Sequence, residues 1–310
     1  MYGKVRYTKA AAGAQGGVQS CPRRREGHRW ALRVGVLVLC GISGVGDLWA
    51  ATDGDGDAGK PPGLLCIERY YHVRSTLREG RYLVTLGGVG RGRRGEEVVP
   101  YDDGQVKNPE QRIETPDLQD MFSERYRTGP IRKVQRAEED PGRSRVEALF
   151  AARYGRSAAA VGAALVTVDF VGTRVRVHRL IAGPLRAVAG RLSRLVTTQP
   201  ELRPFLTALG GTFAWRPIAG TARRSTHSYG IAIDLNVKRA HYWRWRVTGA
   251  GMAWNNSYPQ EIVDAFEAEG FIWGGRWYHY DTMHFEYRPE LLDSTCYARQ
   301  RDDRDSKGME

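Results

Sequence analysis

The sequence predicts an α+β fold. Three observations carry this. Short runs of strand character mix with helix-period runs, without the regular strand–helix–strand order of a parallel sheet. Residues 165–171 and 174–178 alternate apolar and polar side chains around Gly172-Thr173, the pattern of a hairpin. Leu185, Val188, Ala189, Leu192, Leu195 and Val196 recur at helical spacing just after Pro184, a residue suited to a first helical turn.

The remaining elements follow in order. Residues 147–154 and 158–164 read as helices separated at Gly155. Residues 212–218 and 231–237 are apolar enough for strands. Residues 259–269 form a helix with Ile262, Val263 and Phe266 inward and Gly270 as its stop, and 283–287 reads as a last strand. Upstream, residues 64–146 mix short apolar runs with turns such as Asp102-Asp103-Gly104 and Asp140-Pro141-Gly142, and no single period dominates. The expected organisation is a leader over 1–51, a linker over 52–63, an accessory segment over 64–145, a main domain over 146–295 and a polar tail over 296–310.

A chain of 310 residues with 41% hydrophobic and 26% charged residues has enough apolar content for a core and too little for a polytopic membrane protein. The formal charge is +12. Half of that excess sits in residues 1–51, where eight basic residues face only Glu26 and Asp47. The excess suits an acidic polymer. No basic stripe or nucleic-acid motif is present, so no nucleic-acid partner is expected.

Residues 22–33 are basic, 34–45 apolar, and Leu48-Trp49-Ala50-Ala51 offers small residues for cleavage. This is the layout of a secretory signal peptide. An uncleaved N-terminal anchor is the alternative, although the apolar run falls short of the roughly 20 residues that span a bilayer. Beyond that anchor no stable membrane partner is expected. The protein is thus expected to be exported, to the periplasm or the cell wall. Cys21 and Cys40 fall in the leader. Cys66 and Cys296 either pair in an oxidising compartment or stand as two separate buried thiols. Asp53, Asp55 and Asp57 resemble half a calcium loop without its closing Glu, and read as linker.

The chemistry concentrates in two segments. The first is Ser225-Thr-His227-Ser-Tyr-Gly230-Ile-Ala-Ile-Asp234, the second Trp273-Gly-Gly-Arg-Trp277-Tyr-His-Tyr-Asp281-Thr-Met-His284-Phe-Glu286. Strand alternation puts Ile231, Ile233 and Leu235 on one side and Ala232, Asp234 and Asn236 on the other. A carboxylate among such neighbours is costly to bury unless a cation meets it. Two His and one carboxylate make the ligand set of a catalytic zinc site that keeps a fourth position open. The aromatic residues between 242 and 280 fit either core packing or the walls of a substrate groove. Gly274-Gly275 gives that loop room for close approach. His178 and His241 read as structural.

Together the two motifs resemble the zinc D-Ala-D-Ala carboxypeptidases of VanY type, a family that includes D-Ala-D-Ala dipeptidases and phage L-alanyl-D-glutamate endopeptidases. The resemblance is strong over 205–292. It implies a small antiparallel sheet flanked by helices, as in the hedgehog-like zinc domain, and one zinc per chain held by His227, Asp234 and His284. It implies Asp281 as the acid/base and a peptidoglycan stem peptide as substrate. It also implies an arginine near the scissile carbonyl, with Arg216 the first candidate and Arg224 the second. Glu286 is either a support for a ligand or a rival base. Ser225 shapes the loop before His227, and His279 is a substrate-contact candidate. A zinc-containing module that binds peptidoglycan without cutting it is the competing expectation.

Overall fold

The structure, a computed structural model, describes residues 59–87, 96–134, 138–245, 247–248 and 251–297. The expected leader, the aspartates of the linker and residues 298–310 lie outside the described residues. The observed class is mixed: helices with small antiparallel sheets.

The described residues begin with α1 (Pro62–Tyr71), so the last two residues of the expected linker belong to a helix. Pro62 at its first position lacks only an N–H that would be unpaired there anyway. Strands β1 (Arg74–Arg78), β2 (Arg81–Leu86) and β3 (Glu97–Pro100) form an antiparallel sheet in that order. A short α2 (Pro109–Glu114) is closed by a reciprocal cap between Asn108 and Gln111. Next come α3 (Glu147–Tyr154) and α4 (Ala158–Ala164), as the sequence predicts, then the predicted hairpin of β4 (Leu165–Phe170) and β5 (Thr173–His178), which turns one residue earlier than expected, at Val171-Gly172. The long α5 (Ala182–Thr198) buries Leu185, Val188, Ala189, Leu192 and Val196.

The sheet that carries the site has the order β10-β11-β7-β6 and is antiparallel throughout. Its members are β6 (Leu209–Gly211), β7 (Ala232–Asn236), β10 (Phe271–Trp273) and β11 (His284–Tyr287). Two two-residue strands, β8 (Val247–Thr248) and β9 (Gly251–Met252), pair with each other. Helix α6 (Gln260–Glu267) and the single turn α7 (Pro289–Leu292) complete the order. Ile233, Leu235 and Phe285 turn one face of the β7–β11 pair into the core, where Phe285 stacks on Phe266. The opposite face is left for polar side chains.

The expected strand over 212–218 is not formed. Its backbone is occupied elsewhere: Ala214 N donates to His227 O, Arg216 N donates to Ser228 Oγ, and Ser225 N donates to Arg216 O. Pro217, which has no N–H, makes only an isolated bridge with Arg224. The strand that pairs with β7 lies three residues earlier, over Leu209–Gly211.

Residues 64–145 share this core. Leu64, Ile67, Val84, Leu86, Leu118 and Met121 belong to the same buried cluster as α5 and the site sheet. Cys66 and Cys296 form a disulfide that ties α1 to the turn after α7.

Candidate functional site

The register of the sheet builds the site. His284 and Asp234 sit directly opposite each other on β11 and β7. His227 arrives on a turn, residues 226–229, that Gly230 closes in the left-handed region (φ 65°). A Cβ on Gly230 would also lie 2.7 Å from the Leu165 side chain and 3.1 Å from His178 N, so only glycine fits. Ser225 accepts from His227 N and starts the same turn.

Three donor atoms converge. His227 Nε2, His284 Nδ1 and Asp234 Oδ1 are 3.0–3.2 Å apart in every pairing. Ligand atoms about 2.0–2.1 Å from a tetrahedral ion stand roughly 3.3 Å apart, so this triangle has the size of one face of such a site. The far ring nitrogens are already engaged. His227 Nδ1 faces the Thr212 carbonyl at 3.0 Å, which can only accept, so that nitrogen carries the hydrogen. His284 Nε2 faces Glu286 Oε2 at 3.1 Å. In neutral rings the two inner nitrogens are then lone pairs, aimed at each other and at a carboxylate. Three acceptors in such contact call for a cation between them.

The charges agree. Burial opposes ionisation of Asp234, yet the two imidazoles hold it well below the usual carboxylate range. Burial also opposes charge on His284, but its bonds to Asp234 and Glu286 outweigh burial and lift it to about 10. Among the described residues, two other groupings have ligand-type atoms. In the one formed by Asp102, Asp103 and Asp117, the Lys107 ammonium already pairs with Asp103 and Asp117, and in the one near Asp293 the two cysteines form the disulfide.

Asp281 lines the same cavity of about 260 Å³. Its Oδ1 is buried with no hydrogen-bond partner. Burial, then the nearby Asp234 charge, push it up to about 7. The chain approaches itself closely here, since a Cβ on Gly274 would lie 2.6 Å from Asp281 O. Glu286 is different. It is fully buried behind His284, bonded to Thr226 Oγ1 at 2.9 Å and flanked by Arg145 and Arg288. Despite burial, Arg145 and His284 hold it far below the usual carboxylate range. Unlike Asp281, Glu286 is not among the residues that line the cavity.

Arg216 lines the cavity mouth on extended chain, its guanidinium exposed and touching only the Pro217 carbonyl at 3.4 Å. The strand expected over 212–218 is not formed around it. Arg224 lies over the Trp215 ring, 4.4 Å from its centroid, and its backbone N–H bonds Glu147. It is not among the cavity-lining residues.

Two arginines inside the cavity escaped the sequence reading, Arg143 and Arg145. Arg145 reaches Glu286 at 3.3 Å, and burial lowers it to about 10. Arg143 is near enough to Asp281 for its charge to favour the ionised carboxylate. His279 lines the cavity too. The buried Asp140 carboxylate holds it, accepting from its backbone N at 2.9 Å and standing 2.6 Å from Nδ1. The aromatic residues divide: Trp273 and Tyr280 are packed in the interior, while Tyr242, Trp243, Trp245 and Trp277 line the cavity. The only sequence signal for the missed groups was Asp140-Pro-Gly-Arg143-Ser-Arg145, which reads as a turn.

Residues 219–287 match the family model described as D-alanyl-D-alanine carboxypeptidase. This is a family of peptidases, and the resemblance drawn from the motifs is borne out over the stretch that contains His227, Asp234, Asp281 and His284. No curated protein and no solved structure gives a significant match.

Proposed function

We propose that the protein is an exported, zinc-dependent peptidase that hydrolyses a peptide bond in peptidoglycan stem peptides. The observation that carries this reading is the triangle of His227, Asp234 and His284 beside a buried Asp281 oxygen that nothing else bonds. The donor set, two imidazoles and one carboxylate, suits zinc. When bound, zinc supplies Lewis-acid polarisation of a carbonyl and a nucleophile available at neutral pH. Asp281 accepts the proton of the attacking water and returns it to the leaving amine. Arg143, rather than the exposed Arg216, meets the negative charge that develops on the former carbonyl oxygen. His279, fixed by Asp140, contacts the substrate. The disulfide supports export, since such bonds persist in oxidising compartments.

Incubation of the zinc-loaded protein with purified sacculi tests this. Mass spectrometry should find released D-alanine or peptides cut between L-Ala and D-Glu, and the mass names the bond. Binding to sacculi with no released fragment would instead support a non-catalytic peptidoglycan-binding module.

A further inference from the structure

Every second residue from His284 onward is ionisable: His284, Glu286, Arg288, Glu290. All four are buried. In β11 this is the alternation of a strand, with Phe285 turned to the core and its neighbours to the other face. The side chains are joined in series. Glu286 Oε2 lies 3.1 Å from His284 Nε2, and Arg288 Nη1 donates to Glu286 Oε1 at 3.2 Å. Arg288 Nε donates to Glu290 Oε1 at 2.6 Å. Tyr71 Oη, on α1, donates to that same Glu290 oxygen at 2.9 Å. Arg288 is fully buried, its guanidinium 5.1 Å from the Phe150 ring centroid, and its Nη1 also reaches the Gly142 carbonyl.

The far end of this ladder is clamped. The Cys66–Cys296 disulfide and the bonds of Arg69 and Tyr70 to Asp293 fasten α1 to the segment after α7. Buried ion pairs seldom add net stability over apolar packing, because desolvation cancels most of their attraction. A line of them that ends on a ring nitrogen of the donor triangle has a better-founded use. Partners of this kind orient a ligating imidazole and set its basicity.

We propose that the ladder is a positioning device for the metal centre. Arg288, acting through Glu286, fixes the tautomer and ring angle of His284. The Tyr71–Glu290 bond makes that setting depend on docking of α1, so α1 and the metal stabilise one another. The inference rests on the metal reading above. Coupling of this kind is reciprocal: α1 strengthens metal binding, and metal strengthens α1 docking.

The test is zinc affinity, measured by competition with a chromophoric chelator for the wild type, Arg288→Met, Arg288→Lys and Tyr71→Phe. Amide hydrogen exchange over residues 62–71, with and without zinc, completes it. Arg288→Met should weaken zinc binding by about 10–100-fold, with part of the loss recovered in Arg288→Lys. Tyr71→Phe should weaken it by about fivefold, the effect of one lost hydrogen bond. Zinc should slow exchange in α1 of the wild type and lose that effect in Tyr71→Phe. If Arg288→Met does not fold, Tyr71→Phe decides alone, since it removes a single oxygen. A Tyr71→Phe protein that melts earlier yet binds zinc like the wild type would show a purely structural ladder and overturn the proposal, leaving the metal reading in place. A wild type that binds no zinc would overturn the metal reading, and the ladder with it.

Discussion

Residues 225–288 and residues 62–145 serve one cavity in different ways. The first stretch contributes the three converging donors and Asp281. The second contributes Arg143 and Arg145 to the lining, Asp140 behind His279, and Tyr71 at the end of the charge ladder. The first is legible in the sequence and the second is not. Histidines are rare, and a tight turn and two paired strands hold these three at fixed places, so His227, Asp234 and His284 show as a pattern. Arginines and aspartates on loops are common, and only tertiary packing brings them to a site.

The sharpest way to break this comparison is to remove a donor. His227→Ala, Asp234→Ala or His284→Ala should each lose zinc and activity together, with turnover at background. Zinc content by atomic emission beside a stem-peptide assay reads both. A His227→Ala protein with full zinc occupancy would show that the donor triangle is not the site.

Next comes the cation from the less legible stretch. A guanidinium that meets charge only as it develops lowers kcat more than it raises KM when lost. Arg143→Ala should lower kcat by about 10²-fold with zinc content unchanged. Arg216→Ala, which removes an exposed group, should cost less than about tenfold. Steady-state kinetics of the two variants ranks them. If Arg216→Ala is the crippled one, the loop over 140–145 has no part in the chemistry.

The same contrast governs how far the fold could be read. Helices α3 and α4 and the β4–β5 hairpin are visible because apolar residues repeat on one face and glycine marks the breaks. The β1–β2 hairpin is not, because four of the five β1 residues are exposed and show no alternation. Its turn, with Glu79 and Gly80 both at positive φ, was the missed signal. The segment 212–218 misled for the opposite reason. It is apolar enough for a strand, but the 225–228 turn takes its hydrogen bonds. Pairing of Cys66 with Cys296 stayed open in the sequence, since a separation of 230 residues says nothing of proximity.

A smaller effect concerns stability alone. His178 is buried, with Nδ1 accepting from Leu180 N. Burial, then the charge of Arg179, lower it to about 4. Between its ordinary value of 6.5 and about 4 the folded protein binds fewer protons than the unfolded chain. Stability present above pH 6.5 should therefore be lost as the pH falls through that window, by at most about 3 kcal/mol from this group. Urea denaturation at several pH values measures it, and His178→Gln should flatten that part of the profile. An unchanged slope would show that another group is responsible.

The central claim is that Asp281 works beside a metal held by His227, Asp234 and His284. Zinc content and stem-peptide turnover, measured on one preparation of Asp281→Asn, test it most directly. The account predicts about one zinc per chain, as in the wild type, with turnover reduced by about 10²-fold or more. Near-normal turnover in a folded, zinc-loaded Asp281→Asn protein would contradict it.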